Sequence, residues 1–156
     1  MIPSHIVLAV DPGKTGAIAA FQDGKLCAVH DPIDGSLTRR FADLLLDCLD
    51  FRHRVTVVIE KVNGVPGQSG PGSFNFGKGF GELIGVCVGL GVIPVLIPPA
   101  TWKWKMNLRG VGKKASLEMA RGLWPVEDWF RRVKDDGRAE AALLGIYWFR
   151  EYGAKQ

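Results

Sequence analysis

Four acidic residues in three separate segments of the chain could together carry metal-dependent chemistry. Asp11 directly follows an apolar run, and Glu60 closes a second run of β-branched and apolar residues. Asp136 and Glu140 are four residues apart, so they share one face of a helix. If the strands that end at Asp11 and Glu60 are neighbours in one sheet, both carboxylates project from its central region. Because like charges repel in a partly buried pocket, such a cluster requires a cation.

An all-carboxylate cluster selects a hard divalent cation. Oxygen ligands suit Mg²⁺ or Mn²⁺ rather than zinc. Two such ions fit in-line phosphodiester hydrolysis, in which one activates the attacking water and the other stabilises the leaving 3′-oxygen. Lys113 or Lys114 could supply a further positive charge to the transition state. The acidic residues therefore predict a two-metal site, with Mg²⁺ as the expected ion and Mn²⁺ able to replace it.

Each acidic position also has a purely structural interpretation. The segment Asp11–Gly13 could be only a turn, and Glu60 could be a solvated strand end. Asp135 and Asp136 could cap the last helix, where the helix dipole favours a carboxylate. The functional interpretation therefore depends on the occurrence of all four acids in this chain order.

A basic segment that contains tryptophan indicates a polyanionic partner. The chain has 20 Lys and Arg against 16 Asp and Glu, a formal net charge of +4, which is common among enzymes. Between Thr101 and Lys114, however, there are five basic residues and no acidic one, interleaved with Trp102 and Trp104. Cations and flat aromatic rings suit a phosphate backbone and exposed bases. The alternative is a solvated loop with two core tryptophans.

The pattern of apolar residues predicts an α/β fold. Three early strands, the second and third joined by a hairpin at Asp23-Gly24, are followed by alternating helices and strands. This order predicts a mixed five-stranded sheet, its first three strands an antiparallel meander, with helices on both faces. In chain order the predicted elements are strands at 5–10, 17–21 and 26–29, a helix from 37 capped by Ser36, a strand at 55–59, a loop at 63–72, a helix at 73–90, a strand at 92–97, and helices at 113–123 and 136–147.

Four glycines at four-residue intervals mark the helix predicted at 73–90: Gly77, Gly81, Gly85 and Gly89. Each interior glycine weakens a helix by about 1 kcal/mol relative to alanine. A bare stripe therefore indicates that another backbone packs closely against it. That backbone could belong to a partner helix across a two-fold axis or to this chain's own sheet.

Length and composition limit the class of protein. At 156 residues and 47% hydrophobic content, we expect a single domain covering residues 1–156 with a substantial core. No apolar run reaches the roughly 18 to 20 residues that span a bilayer, and no signal peptide is visible. The three cysteines are odd in number and form no Cys-x-x-Cys pair, which favours a reducing compartment. We expect no membrane partner and a cytoplasmic location in a bacterial or phage-infected cell, with an organelle as the alternative.

Three motifs resemble the RuvC-type Holliday-junction resolvases of the ribonuclease H-like superfamily. The segment Val7–Gly16 (VLAVDPGKTG) resembles their first strand and turn, and Val57–Val62 (VVIEKV) their second catalytic strand. Lys134–Leu144 (KDDGRAEAALL) is similar to their C-terminal catalytic helix, particularly in resolvases of bacteriophages and chloroplasts. Pro99–Lys103 and the Lys113-Lys114 pair also occur in the expected order. The first motif is shared with other nucleotide-handling folds, but the set of three is specific.

The resemblance implies a structure-selective endonuclease. The expected enzyme is a homodimer that resolves four-way junctions in branched DNA by symmetric, Mg²⁺-dependent nicks with 5′-phosphate and 3′-hydroxyl ends. Asp11, Glu60, Asp136 and Glu140 correspond to the metal-binding catalytic carboxylates, and Lys113 to the catalytic lysine, with Lys114 as the alternative. The candidate DNA-binding residues are Lys14, Lys61, Asn63, Trp102, Lys103, Lys105, Arg109 and Lys114.

The sequence departs from the family pattern at two places. The last two acids are often three residues apart in bacterial RuvC and are four apart here, so Asp135 remains an alternative to Asp136. An aromatic wedge follows the second acid in bacterial RuvC, whereas the segment 62–64 reads Val-Asn-Gly. A base-stacking role would then belong to Phe74, Phe76 or neither.

Three other functions share parts of this pattern. ATP-binding proteins of the actin and sugar-kinase group begin with a similar strand and turn, but they need two such domains around the nucleotide. A nuclease for forks, flaps or other branched nucleic acid would use the same acids. A non-catalytic junction-binding protein would keep the fold, although unneeded buried carboxylates would be costly.

Overall fold

Five strands form one mixed sheet in the computed structural model, which describes residues 3–61, 63, 67 and 70–153. The strand order is β3-β2-β1-β4-β5. β1 pairs antiparallel with β2, and β2 with β3, whereas β1–β4 and β4–β5 are parallel. The predicted mixed sheet with an antiparallel meander is confirmed. The strands are β1 (His5–Asp11), β2 (Ala17–Gln22), β3 (Lys25–His30), β4 (Arg54–Glu60) and β5 (Val95–Ile97).

Helices cover both faces of the sheet, as predicted. One apolar core lies between the sheet and α1 and α2, and the other between the sheet and α3, α4 and α5. Ser36 caps α1 as predicted, because its side chain accepts a hydrogen bond from the Arg39 N–H at 3.1 Å. The helices are α1 (Leu37–Asp50), α2 (Gly70–Gly89), α3 (Pro99–Lys105), α4 (Gly112–Leu123) and α5 (Asp136–Tyr152), with 3₁₀ turns at Asp128–Phe130 and Val133–Asp135.

The alternation of side chains along β1 decides where Asp11 points. Val7 and Ala9 belong to the core beneath α5, whereas Leu8 and Val10 belong to the core beneath α1 and α2. Successive side chains of a strand point to opposite faces of the sheet. Asp11 therefore continues the Val7–Ala9 row and lies on the α5 side.

The same alternation places Glu60 on the α5 side. On β4, Val58 belongs to the α5 core and Ile59 to the opposite one, so Glu60 follows Val58. The parallel register pairs Val10 with Ile59, which makes Asp11 and Glu60 the next residues along two adjacent strands. Both acids therefore leave the sheet at the same end and on the same face.

A glycine on α5 allows this helix to lie close to the sheet. A Cβ at Gly145 would lie 2.2 Å from Cε2 of Phe21, a fully buried residue of β2. We expect Gly145→Ala to lower the free energy of unfolding by about 1 to 3 kcal/mol, because the core is overpacked. Urea denaturation measures the change. Gly122→Ala on α4, where a Cβ meets open space, should slightly raise stability. A stabilising Gly145→Ala would contradict the close packing of α5.

Several predicted boundaries are wrong for local reasons. Helix α2 begins at Gly70, so the end of the predicted loop 63–72 is helical, and β5 spans only the last three residues of the strand predicted at 92–97. Helix α3 was not predicted, because Pro98-Pro99 was interpreted only as a strand stop, although proline is favourable in the first turn of a helix. Within the described residues, no helix has the length and apolar character needed to cross a membrane.

Candidate active site

Three carboxylates lie near one another between the sheet and α5: Asp11 at the end of β1, Glu60 at the end of β4 and Glu140 on α5. Burial and, after it, the nearby charges of Glu60 and Glu140 together raise the pKa of Asp11 to about 7, although the hydrogen bond from the Gly13 N–H and the charge of Lys103 act in the opposite direction. That N–H donates to Asp11 Oδ1 at 3.0 Å. This mutual repulsion indicates that the carboxylates at the ends of β1 and β4 and on one face of α5 lie near one another, and this group of three acids is called the acidic pocket.

Glu60 is held in this pocket by a tryptophan. The Trp102 indole Nε1–H donates to Glu60 Oε2 at 3.1 Å, and Trp102 itself is fully buried. Burial raises the pKa of Glu60, and the charge of Glu140 adds to the rise, whereas Lys103 and the Trp102 hydrogen bond oppose it. Helix α3 therefore fixes the orientation of a carboxylate that lies on a strand.

Glu140 is bonded to one lysine and one serine. Lys103 Nζ donates to Glu140 Oε1 at 2.9 Å, and Ser116 Oγ donates to the same oxygen at 3.2 Å. The charge of Lys103 also lowers the pKa of both Asp11 and Glu60. The ammonium group of Lys103 is thus a shared counter-charge for the carboxylates of this pocket.

Asp136 lies at the start of α5 and pairs with Lys113. The Lys113 Nζ is 2.6 Å from Asp136 Oδ2, and this hydrogen bond raises the pKa of Lys113, with the charges of Asp136, Glu140 and Asp11 acting in the same direction. Lys113 therefore remains protonated beside the carboxylates. A Cβ at Gly137 would lie 1.8 Å from the Thr15 carbonyl oxygen, so glycine lets the first turn of α5 reach the β1–β2 turn.

The structure distinguishes the paired alternatives at these positions. Lys114 is 89% exposed and lies 3.8 Å from Glu118, away from the acids. Asp135 is 2% exposed and accepts hydrogen bonds from the Arg132 backbone N–H and Nε at 2.7 and 2.9 Å. Asp135 therefore stabilises the 3₁₀ turn that precedes α5. Lys113 is the lysine that lies near Glu140 and Asp11, and Asp136 is the aspartate that pairs with it.

Two cavities lie on either side of Lys113. The first, of about 250 Å³, is lined by Lys103, Lys113, Ser116 and Glu140 together with backbone around Gly110. The second, of about 420 Å³, lies beside Asp136 and is lined also by Thr15, Lys114 and Arg121. Both cavities therefore adjoin the N-terminal end of α4, one beside Glu140 and the other beside Asp136.

Carboxylates are suitable ligands for a divalent cation, but two of the four predicted ligands form ion pairs with lysines. The ligand set consists of carboxylate oxygens, which Mg²⁺ and Mn²⁺ prefer. The pKa of Asp11 is raised first by burial and then by the charge of Glu60, and a cation beside these carboxylates would oppose that repulsion. Within the described part of the chain, no three Asp, Glu, His or Cys side chains are arranged to hold a metal ion. Lys103 and Lys113 would have to release Glu140 and Asp136 before these carboxylates could bind one.

One predicted DNA contact is wrong. Trp102 is fully buried and bonded to Glu60, so it belongs to the core, as the alternative interpretation of the basic segment held for this residue. Lys103 faces Glu140 rather than open solvent. For the wedge position, Val62 and Gly64 lie outside the described residues, and Phe74 is 71% exposed whereas Phe76 is half-buried. The predicted DNA contacts that lie on the surface are Lys14, Lys61, Asn63, Lys105, Arg109 and Lys114.

Sequence reasoning missed two residues that hold the carboxylates. Trp102 was assigned to DNA, and Ser116 was not considered. Ser116 lies three residues after Lys113 on α4, so both project from one side of the helix. The signal available in the sequence was the spacing, because a polar residue three positions after a candidate catalytic lysine lies on the same side of the helix.

Comparison with known proteins places this geometry in a fold class. No protein-family model matches the chain. Thermus thermophilus RuvC in complex with a Holliday junction substrate superimposes with a TM-score of 0.58 at 17% identity, covering 95% of this chain and 96% of that one. The chain has the RuvC fold. A second Thermus thermophilus RuvC structure gives a TM-score of 0.56 at 18% identity, covering 94% of this chain and 96% of that one.

A curated relative supports the same assignment by sequence. The chloroplast Holliday junction resolvase MOC1 of Chlamydomonas reinhardtii is 32% identical over 85 residues, which are 53% of this chain and 10% of that protein. The chain thus spans about a tenth of the length of this relative. The resemblance to RuvC-type resolvases that the three motifs predicted is confirmed, together with the RuvC fold.

Proposed function

We propose that the chain is a metal-dependent endonuclease that resolves four-way DNA junctions. The observation that carries the proposal is the convergence of Asp11, Glu60 and Glu140 from three elements, beside the Lys113–Asp136 pair, on a RuvC fold. The similar proteins support the substrate class, since one is named a Holliday junction resolvase and another binds a Holliday junction substrate.

In the proposed site the carboxylates bind the metal ions and a lysine stabilises the developing negative charge. Asp11, Glu60, Asp136 and Glu140 would hold two Mg²⁺ or Mn²⁺ ions, which activate the attacking water and stabilise the leaving 3′-oxygen when bound. Lys113 stays cationic because its pKa is raised, so it can face a phosphate oxygen as negative charge develops there. Water adds to phosphorus and the bond to the 3′-oxygen breaks, which leaves a 5′-phosphate and a 3′-hydroxyl.

Two further side chains act by positioning the carboxylates. The Trp102 indole holds Glu60, and the Ser116 hydroxyl holds Glu140. Neither hydrogen bond requires Lys103, so both can persist when the Lys103 ammonium leaves Glu140. Once released, Lys103 becomes available to a DNA phosphate, as the resemblance predicts.

The open face of α2 supports a homodimer. A Cβ added at Gly77, Gly81, Gly85 or Gly89 would meet no described atom within 4 Å. The stripe therefore does not pack on the described part of the chain's own sheet, contrary to that alternative, and the open face supports a partner helix as its neighbour. Phe74 and Val88, on the same helix, are 71% and 68% exposed, so exposed apolar side chains border the stripe together with the Lys78–Glu82 ion pair. Two active sites related by a two-fold axis would give the symmetric pair of nicks.

The proposal is tested with labelled four-way junctions, forks, flaps and linear duplexes, each with and without Mg²⁺. We expect paired nicks at symmetric positions in the junction and little cleavage of linear duplex. Equal cleavage of forks and flaps would favour the broader branched-DNA nuclease. Junction binding with no cleavage in Mg²⁺ or Mn²⁺ would favour a non-catalytic protein and overturn the proposal.

Neighbouring aspartates at the start of α5 should respond differently to substitution. Asp136→Asn should reduce junction cleavage by roughly 100-fold or more, because a metal-binding carboxylate is lost, with little change in Tm. Asp135→Asn should instead lower the free energy of unfolding by about 1 to 2 kcal/mol, because the half-exposed Arg132 side chain and the Arg132 N–H lose the charge of their buried acceptor. Cleavage rates well below Tm and thermal denaturation measure the two effects. The opposite pattern would make Asp135 the catalytic residue.

A further inference from the structure

An exposed tryptophan beside the proposed active site borders a cleft of its own. Trp104 is 61% exposed, although Trp102, two residues earlier on α3, is fully buried. The cleft measures about 470 Å³ and is lined by Trp104, Lys105, Asn107 and Arg109. An adjoining cavity of about 410 Å³ extends it along the same ring. The large apolar surface of this ring is therefore not packed in the hydrophobic core.

The direction of α3 explains why the cleft is separate from the acids. Successive helical residues are rotated by about 100°, so Lys103 faces Glu140 whereas Trp104 and Lys105 turn outward. The helix ends at Lys105, and Asn107, whose φ is 57°, then reverses the chain. Buried Met106 and Leu108 anchor that reversal. Arg109 thereby returns to line the same cleft as Trp104, next to the buried residue Leu108.

The charge of the cleft is positive and accessible. Lys105 Nζ lies 5.7 Å from the centre of the Trp104 ring, and Arg109, which also lines the cleft, is exposed. Lys105 also lies 3.8 Å from Glu151, with both side chains substantially exposed. Such a solvent-exposed ion pair contributes little, so a phosphate can compete for Lys105. The cleft thus combines an open aromatic face with two cations.

The cleft and the acidic pocket share one segment of chain. Lys103, Leu108 and Gly110 line the cavity at Glu140, and the residues between them line the cleft at Trp104. A nucleotide held in the cleft would therefore belong to a strand that passes close to the carboxylates. This relation connects the cleft to the proposed nuclease site.

We propose that Trp104 stacks an unpaired DNA base, while Lys105 and Arg109 contact the phosphates on either side of that nucleotide. The inference rests on the proposed function and deepens it, because it assigns to the chain a site for a base displaced from pairing near the junction centre. Stacking on an aromatic ring needs no particular base, because every base has a π-face.

The test measures binding without cleavage. Fluorescence anisotropy of labelled oligothymidylate, in EDTA, compares the wild type with Trp104→Ala and Trp104→Phe, alongside a labelled linear duplex. We expect Trp104→Ala to weaken oligothymidylate binding about 10-fold, Trp104→Phe to retain most of the affinity, and duplex binding to change less than twofold. Phe51→Ala is the matched control, since Phe51 is an exposed aromatic residue at the end of α1.

Three outcomes would overturn the inference. Oligothymidylate binding within twofold of wild type would remove base stacking, and equal losses for oligothymidylate and duplex would reduce Trp104 to a general DNA or folding residue. A change of oligomeric state in Trp104→Ala, with DNA affinity unchanged, would assign the ring to a protein interface. The proposed function fails separately, when the wild type does not cleave junctions in Mg²⁺.

Discussion

Asp11→Asn should reduce cleavage of four-way junctions in Mg²⁺ by about 1000-fold or more, because a central metal ligand is lost. Junction binding should persist. Asparagine preserves the volume of Asp11, and its carbonyl oxygen can still accept the hydrogen bond from the Gly13 N–H. The turn after β1 therefore keeps its shape. What disappears is the negative charge that Asp11 contributes to the acidic pocket.

The same substitution should stabilise the metal-free protein. The pKa of Asp11 is raised from an ordinary 3.8 to about 7 in the folded chain, so its contribution to stability is greatest below pH 4. That contribution is lost as the pH rises through about 7, because the folded state must then ionise a buried acid near Glu60 and Glu140. In EDTA, the Tm of Asp11→Asn relative to wild type should therefore increase between pH 4 and pH 7 and remain constant above it.

Two measurements distinguish a catalytic Asp11 from a structural one. Junction binding is measured by anisotropy in EDTA and cleavage by denaturing gels in Mg²⁺, with Asp43→Asn on the exposed side of α1 as a control for an aspartate-to-asparagine change. Wild-type Tm should rise on addition of Mg²⁺ more than that of Asp11→Asn. A lower Tm and loss of binding in Asp11→Asn would instead identify Asp11 as a residue of the turn alone.

The convergence of Asp11 and Glu60 could be predicted because it depends on strand patterning alone. Each acid follows a buried run, and the two runs are adjacent parallel strands whose side chains alternate between the cores. Glu140 follows the same logic on α5, where its helical face is buried. Periodicity identifies such positions, since the burial that gives the pattern also decides the direction of the acid.

The residues around the acids were harder to predict because they depend on tertiary contacts. Trp102 and Trp104 stand two residues apart in the same basic segment, yet one bonds Glu60 in the core and the other is exposed. The orientation of helix α3, which was not predicted, decides which of the two tryptophans is buried. Likewise, the 3₁₀ turn before α5 decides that Asp135 meets Arg132 while Asp136 meets Lys113. The residues around the two tryptophans, and around the two aspartates, are nearly the same, so the local sequence does not distinguish the members of either pair.

Gly81→Arg should separate the proposed dimer and abolish paired nicking. Gly81 lies in the middle of the open stripe on α2, where close approach of a second helix requires a bare backbone. An arginine there keeps both helices apart and places a charge in an apolar interface, at a cost of several kcal/mol when it is unpaired. Sedimentation at micromolar concentration should therefore change from dimer to monomer, with little loss of helix or of monomer stability.

Gly122→Arg is the matched control, because it makes the same change on the exposed surface of α4, where a Cβ also meets open space. It should remain a dimer. Junction substrates labelled on both cleaved strands, held in a supercoiled plasmid, separate single nicks from paired nicks formed within one binding event. Because each subunit keeps its own Asp11, Glu60 and α5 acids, a monomeric Gly81→Arg should still nick one strand slowly. A Gly81→Arg protein that stays dimeric and cuts in pairs would move the interface away from α2, while leaving the chemistry of the acidic pocket unaffected.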